Sequence, residues 1–288
     1  MGYQLEGIQT TITSVTAGTD LATLLDPSTG SLVPNNITID IDEDVLDATA
    51  QGDTFGVFRP GLRGWRATID TLYPKTSPTI GINGLVSWSD STYAYGIKGW
   101  TLDITNAVYD ISSEGQTDKT WKYFRPSGKT QASGTFECMA DSATGASPPH
   151  AWNASFPTIT LKFMEDGATD PNIAFTAFAN QLGISAPIGA SGLTMYRYGF
   201  RSRSALTATS GSGGILAMFA AGTVPVPSWD TTGDGVPDVT LAGKFDNSGG
   251  SRTFSGTCFR SGISITCNVQ GLITARVTLQ GAGPLTLG

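Results

Sequence analysis

The chain has 288 residues and a formal charge of −7, with 39% hydrophobic residues, 9% aromatics, 36 glycines and 15 prolines. That length and apolar content suit a substantial core in one large or two medium domains, and exclude a disordered chain. The acidic balance, without a Lys/Arg cluster, excludes an ordinary tight grip on nucleic acid, and no apolar run approaches the ~18–20 residues of a membrane span.

In chain order, the opening "MGYQLEGIQ" (Met1–Gln9) has neither a basic region nor an apolar core and is not read as a secretory signal. The stretch Thr13–Asn35 is poor in strand pattern and reads as an arm or a helix-bearing loop, with a short helix at "DLATLLDP" (Asp20–Pro27). Ile37, Ile39 and Ile41 then alternate with Thr38, Asp40 and Asp42, the period-two signature of a half-buried strand. A polar loop follows, and Phe58-Arg59-Pro60-Gly61 reads as a corner because proline fixes φ and restricts the residue before it. A second alternating strand leaves that corner through Trp65, Ala67, Ile69 and Thr71.

The same sentence is then spelled again. "ITIDIDEDVLDATAQGD" (Ile37–Asp53) lies without a gap over "WTLDITNAVYDISSEGQ" (Trp100–Gln116). "FGVFRPG" (Phe55–Gly61) answers "WKYFRPSG" (Trp121–Gly128), and "RATIDTLY" (Arg66–Tyr73) answers "SGTFECMA" (Ser133–Ala140). The second corner is Phe124-Arg125-Pro126, with Ser127 inserted before Gly128, and Ser127 is where the copies should differ most. "YQLEGIQTTIT" (Tyr3–Thr13) competes for alignment with the second-copy strand, and the longer alignment is preferred. The expected organisation is a first unit over 1–90, open to completion by C-terminal strands, and a second over 91–288.

Further along, Thr158–Glu165, Ser261–Val269 and Ile273–Gln280 read as strands. Pro171–Gly183 reads as the best helix, with proline at its start and glycine at its stop. Thr207–Gly214 and Asp246–Ser251 read as flexible loops. Arg197, Arg201 and Arg203, interleaved with Tyr196, Tyr198 and Phe200, suggest a strand whose arginines pair with acids on a neighbouring chain rather than a nucleic-acid contact. The cysteines, Cys138, Cys258 and Cys267, are an odd set; Cys258 and Cys267 could face each other across a short hairpin, with buried thiols preferred over a disulfide.

Chemistry-bearing motifs are sparse. "DTTGDGVPD" (Asp230–Asp238) has Asp230, Asp234 and Gly235 where a calcium loop places ligands and its glycine, and Asp238 is a further weak metal candidate. Thr232 stands at its third position and Leu241 at its twelfth, so the bidentate carboxylate is missing and a solvent-facing turn is preferred. His150 is the one histidine and sits in a proline-rich loop, which argues against His-based metal sites and triads. No P-loop, GxGxxG or GxSxG pattern occurs. No catalytic residue, cofactor or metal is assigned, and an enzyme is not expected.

The segment Thr92–Asp141 resembles the core of phage major tail (tail tube) proteins, through Trp100, Leu102, Ile104, Asp110, Ser112, Pro126, Gly128, Gly134, Phe136 and Asp141. "ARVTLQGAGPLT" (Ala275–Thr286) is similar to that family's closing strand. The resemblance implies an all-β fold, with two tandem β-sandwich or partly open barrel units, a flanking helix and long loops. It implies a structural virion protein, assembled in the host cytoplasm, that polymerises with itself into stacked rings and meets other tail proteins at the tube ends. A chain with two units would need three copies per ring, a homotrimer with pseudo-six-fold symmetry. Genomic DNA would pass through an acidic lumen without specific binding, and Asp40, Asp42, Asp103 and Glu137 are the candidate lumen residues because they lie on the polar phase of their strands. The long loops and the N-terminal segment are candidates for reaching the next ring. The alternative is a secreted two-domain β-sandwich binding calcium or carbohydrate through Asp230–Asp238, with an unrecognised glycosidase behind it.

Overall fold

The computed structural model describes residues 9–17, 20–27, 32–51, 54–72, 85–88, 94–112, 120–139, 158–162, 172–185, 195–202, 207–209, 230–234, 236–247, 250–268 and 272–288. The fold is all-β, as expected. Its strands are β1 (Gln9–Val15), β2 (Val33–Asp47), β3 (Phe58–Leu72), β4 (Leu85–Trp88), β5 (Ala94–Asp110), β6 (Phe124–Met139), β7 (Thr158–Lys162), β8 (Asn172–Ser185), β9 (Met195–Ser202), β10 (Thr207–Thr209), β11 (Thr240–Asn247), β12 (Gly250–Asn268) and β13 (Thr274–Leu287). Among the described residues one helix occurs, α1 (Asp20–Leu25), where the leucine-rich stretch places it.

The two copies of the repeated sentence are two long antiparallel hairpins with the same register. Thr38 pairs with Thr68 and Val45 with Pro60; their counterparts pair as Thr101 with Thr135 and Val108 with Pro126. Each hairpin then takes a third and a fourth strand in the same order. β3 pairs with β13 and β13 with β12; β6 pairs with β9 and β9 with β8. A four-strand set, β2-β3-β13-β12, is therefore repeated as β5-β6-β9-β8. The two sets join through β12 and β5, from Gly262 opposite Thr105 to Asn268 opposite Gly99. In the second set β7 and β4 lead from β8 back to β5, so this half closes into a barrel, while in the first set β11 and β1 continue from β12.

Alternation along these strands sorts apolar side chains to one face. Trp65, Ala67, Ile69, Trp100, Leu102, Ile104, Phe136, Tyr198, Ile263, Ile265, Val277 and Leu279 are all buried in one core. Leu21, Leu24 and Leu25 of α1 and Leu32 join it, held by a backbone bond from Leu32 N to Leu24 O of 3.0 Å. The segment before β2 is thus a helix-bearing connection docked on its own core, not an arm; burying four leucines outweighs the entropy of ordering it.

Several expectations are corrected. Pro171–Gly183 is not a helix: Asn172–Ser185 is strand β8, because β7 and β10 pair with its first part, Asn172–Thr176, and β9 pairs with one edge of the rest. Tertiary pairing of an Ile/Phe/Thr-bearing segment overrides a local stop-and-start signal. The two proline corners are not corners either. β3 runs through Pro60 and Gly61, and β6 through Pro126 and Gly128. Each strand keeps its direction and absorbs the surplus residues as a register shift, between Glu43 and Val45 in the first hairpin and between Asn106 and Val108 in the second. Gly61 and Leu62 face Asp44 in the first shift, whereas Ser127, Gly128 and Lys129 face Ala107 in the second. The insertion of Ser127 is accommodated there, at the position where the copies were expected to differ. Thr207–Thr209 and the flanks of Asp246–Ser251 lie in strands β10, β11 and β12.

Cys258 and Cys267 sit on one strand, β12, so they cannot face each other across a hairpin; both are buried free thiols. Burial pushes the Cys267 thiol from 9.0 up to about 11. A raised thiol keeps its proton in the fold longer than in the unfolded chain. Its contribution is fully present below pH 9 and lost as pH rises toward about 11, at no more than about 1.4 kcal/mol per pH unit. Urea unfolding at pH 8, 9 and 10 should show this extra slope in the wild type but not in Cys267→Ala. Identical slopes in the two proteins would contradict it.

Candidate assembly face and edge

The second face of the repeated strands is polar and nearly continuous across both sets. Threonines form rows along it: Thr38, Thr68 and Thr278 are successive cross-strand partners on β2, β3 and β13. Thr274, Thr266, Thr101 and Thr135 do the same across β13, β12, β5 and β6, with Thr101 Oγ1 and Thr135 Oγ1 3.1 Å apart. A depression of about 440 Å³ on this face is lined by hydroxyls and by Asp70 and Arg276.

The four acids expected on such a face, Asp40, Asp42, Asp103 and Glu137, all keep its phase, Asp42 pairing with Gly64 just before the register shift. Asp40 is exposed opposite Arg66 on β3, Asp103 accepts a hydrogen bond from Ser264 Oγ, and Glu137 lies 3.9 Å from Arg197 Nε. Sequence reading missed Asp70, whose Oδ1 accepts from Arg276 Nε at 2.6 Å. The Asp70–Arg276 and Glu137–Arg197 pairs occupy equivalent positions of the two sets, the acid on the second strand and the arginine on the third. Hydrogen bonding to Asp70 pushes the Arg276 guanidinium still further up. Arg197 therefore pairs within its own chain, in place of the neighbouring-chain acid expected for it; Arg203 lies outside the described residues. Asp40, Asp42, Asp70, Asp103 and Glu137 interleave with Arg66, Arg197, Arg201 and Arg276, so this face is rich in hydroxyls and mixes acids with bases at its described positions.

Asp42 lies at the lower end of β2, 3.9 Å from Lys122 Nζ, which also donates to Asp44 Oδ1 at 2.6 Å. That hydrogen bond to Asp44 raises the Lys122 ammonium against an opposing desolvation, and the charges of Asp44, Asp42 and Asp110 add further attraction. Lys122 belongs to the loop of the second hairpin, and its segment docks on the first hairpin. Arg63 N donates to Thr120 O at 2.8 Å, Lys122 N donates to Arg63 O at 2.7 Å, and Arg63 and Trp121 form a parallel bridge.

The corner residues divide between the copies by environment. Phe58, Arg59 and Pro60 are exposed and Gly61 half-exposed, whereas Phe124 is half-buried, Arg125 exposed and Pro126 buried; Gly128 lies in β6. The same asymmetry runs up the strands: Ile41 is 48% exposed and its counterpart Ile104 1%. β12 covers Ile104 along the outer edge of β5, while no described strand covers the outer edge of β2.

The calcium-like turn is closed by its own side chains. Asp230 Oδ1 accepts from Gly233 N and, at 3.3 Å, from Asp234 N; Asp234 Oδ1 accepts from Val236 N at 2.9 Å. Asp238 accepts from Thr231 N and Thr231 Oγ1. Desolvation pushes its carboxyl up, but the Thr231 hydrogen bonds outweigh that and hold it below the ordinary range. Among the described residues no group of three His, Cys, Asp or Glu is placed to hold a metal. His150 lies outside the described residues, and no described helix is long and apolar enough to cross a membrane.

No family model and no curated protein matches this chain. Seven chains of solved structures match it. One belongs to the cryo-EM structure of the anti-feeding prophage (AFP) baseplate, 6-fold symmetrised; it has 11% identity and a TM-score of 0.33, covering 46% of this chain and 97% of that one.

Proposed function

We infer that this protein is a structural, non-enzymatic subunit that assembles with copies of itself, edge to edge, into closed rings that stack into a tube. The observation that carries this reading is the β12–β5 junction. There the last strand of one four-strand set pairs with the first strand of the next, and the chain then ends its second set on β8 and begins its first on β2. A second copy can repeat that junction by laying its β2 against β8. The register follows from the internal one: Ile265 opposite Leu102 becomes Ile184 opposite Ile39, and Ser264 opposite Asp103 becomes Gly183 opposite Asp40. Docking would cover Ile39 and Ile41 as β12 covers Leu102 and Ile104, and would remove an open sheet edge.

Two sets per chain in a six-fold arrangement give three chains per ring. The polar face would line the bore, where hydroxyls and paired charges suit passage of a polyanion without capture better than a basic surface would. The tail tube of a phage or phage-like particle, conducting DNA at ejection, is the role this geometry suits best. Negative-stain microscopy with native mass measurement of the purified chain tests it: rings or tubes in multiples of three chains are expected. A protein that stays monomeric at tens of micromolar, with or without a tube-end initiator, would overturn the reading.

A further inference from the structure

The loops that close the two hairpins begin and end with the same hydrogen bonds. Ala48 N donates to Val57 O at 2.8 Å, and Ile111 N to Tyr123 O at 2.8 Å. Thr49 N donates to Asp47 Oδ1 and Ser112 N to Asp110 Oδ1, each at 2.9 Å. Val57 N donates to Thr49 Oγ1 and Tyr123 N to Ser112 Oγ, again at 2.9 Å. Counting back from Val57 and Tyr123, Phe55 occupies the place of Trp121 and Thr54 that of Thr120. Their surroundings are opposite. Trp121 is half-buried against the core and bridges Arg63 on β3, at the point where β13 has parted from β3; Phe55 is 83% exposed.

We propose that the loop of the first hairpin is an assembly plug that docks on a second copy of this chain, with Phe55 against β6 at Thr130. Thr130 is the β6 counterpart of Arg63. β9 pairs with β6 from Met139 back to Ser133, as β13 pairs with β3 from Leu72 back to Arg66, and both leave the third residue beyond that point without a strand partner on that side among the described residues. In the chain itself, the loop of the second set crosses the β12–β5 junction and seats on the second strand of the set before it. Repeating that step at the β8–β2 junction carries the first loop onto β6 of the adjoining copy. The expected backbone bonds are Thr130 N to Thr54 O and Gly56 N to Thr130 O, in the pattern Arg63 makes with Thr120 and Lys122.

The two seatings differ in one instructive way. Lys122 anchors the inner loop to Asp44 and Asp42, but its counterpart is Gly56, and the counterparts of those acids are Ala107 and Thr105. The junction between copies therefore relies on apolar burial and backbone bonds, in keeping with the exposed Val45, Leu46, Val57 and Phe58 beside Phe55. It would resist salt, where the inner one draws on an ion pair.

This proposal rests on the edge-to-edge reading, and one experiment separates the two. Partners across a β-bridge stand within disulfide reach, so the full chain carrying Phe55→Cys and Thr130→Cys is oxidised after assembly. The expected result is a ladder of covalent oligomers, with the two engineered cysteines joined between chains by peptide mapping. Rings that form but show no such link overturn the plug and leave the edge pairing standing; absence of rings from the wild-type chain under the same conditions overturns both. Phe55→Ala should fold as the wild type does and weaken assembly about ten- to hundredfold, the worth of burying one large apolar side chain. Unchanged assembly in that variant would also count against the plug.

Discussion

A Trp65→Ala variant is expected to lose about 3–5 kcal/mol of unfolding free energy, a large share of what a domain possesses. Trp65 is 2% exposed and lies where β3, β12 and β13 meet. Its ring fills the space above two glycines: a Cβ on Gly281 would stand 2.3 Å from the indole, and one on Gly256 2.6 Å. The indole Nε1 donates to Gly283 O at 3.0 Å, and Gly283 has φ of 130°, a backbone that side-chain-bearing residues seldom adopt. Removing the ring leaves a cavity and a buried carbonyl without its donor. Trp65→Phe keeps most of the packing and should cost about 1–3 kcal/mol for the orphaned carbonyl. Gly281→Val attacks the same contact from the other side by overpacking, and should also destabilise strongly. Urea denaturation reads all three. A loss under about 1 kcal/mol for Trp65→Ala would mean that the three strands do not depend on this contact.

The second large effect is a contrast between equivalent positions. Leu102→Lys should not fold, because Leu102 is fully buried on the core face and its site offers an ammonium no partner. Ile39→Lys, at the same place in the first hairpin, should fold, since Ile39 is half-buried at an open edge from which a lysine can reach water. It should nonetheless reduce assembly more than about a hundredfold, since the ammonium would be trapped when a second copy covers that edge. Circular dichroism melting and sedimentation velocity on the two variants give the readout. An Ile39→Lys protein that assembles as the wild type does would sink the edge-pairing register, whatever else assembles the chain.

These expectations draw on two kinds of information, and the residues separate them. The duplication was readable in the chain because each copy repeats a local period: alternation of Ile37, Ile39 and Ile41 or of Trp100, Leu102 and Ile104 assigns faces without knowledge of any partner. Hairpin register obeys the same phase once the two strands are known to pair. Both strands of a hairpin are close in sequence, and a slip of one residue would turn the apolar set to water. That Asp40, Asp42, Asp103 and Glu137 share the polar phase of their strands followed from that alternation alone. The signal for the plug was also present, in the alignment of Phe55 with Trp121, but without the docking of Trp121 it said nothing about a seat.

What sequence by itself determined about this protein is therefore its strand-rich character, its two matched hairpins and which side chains share a face, all of which depend on neighbours a few residues away. Tertiary structure decided the rest. It made a strand of Asn172–Ser185, because the backbone partners of that segment come from β7, β9 and β10 and no local rule could weigh them. It turned the Pro60 and Pro126 corners into register shifts within continuous strands, because the opposite strand runs on past them. It also set the order in which β12 meets β5 and leaves β2 uncovered. Strand order is a choice among long-range pairings whose backbone hydrogen bonds are alike, settled by which apolar faces close over one core, and local alternation carries no record of that choice.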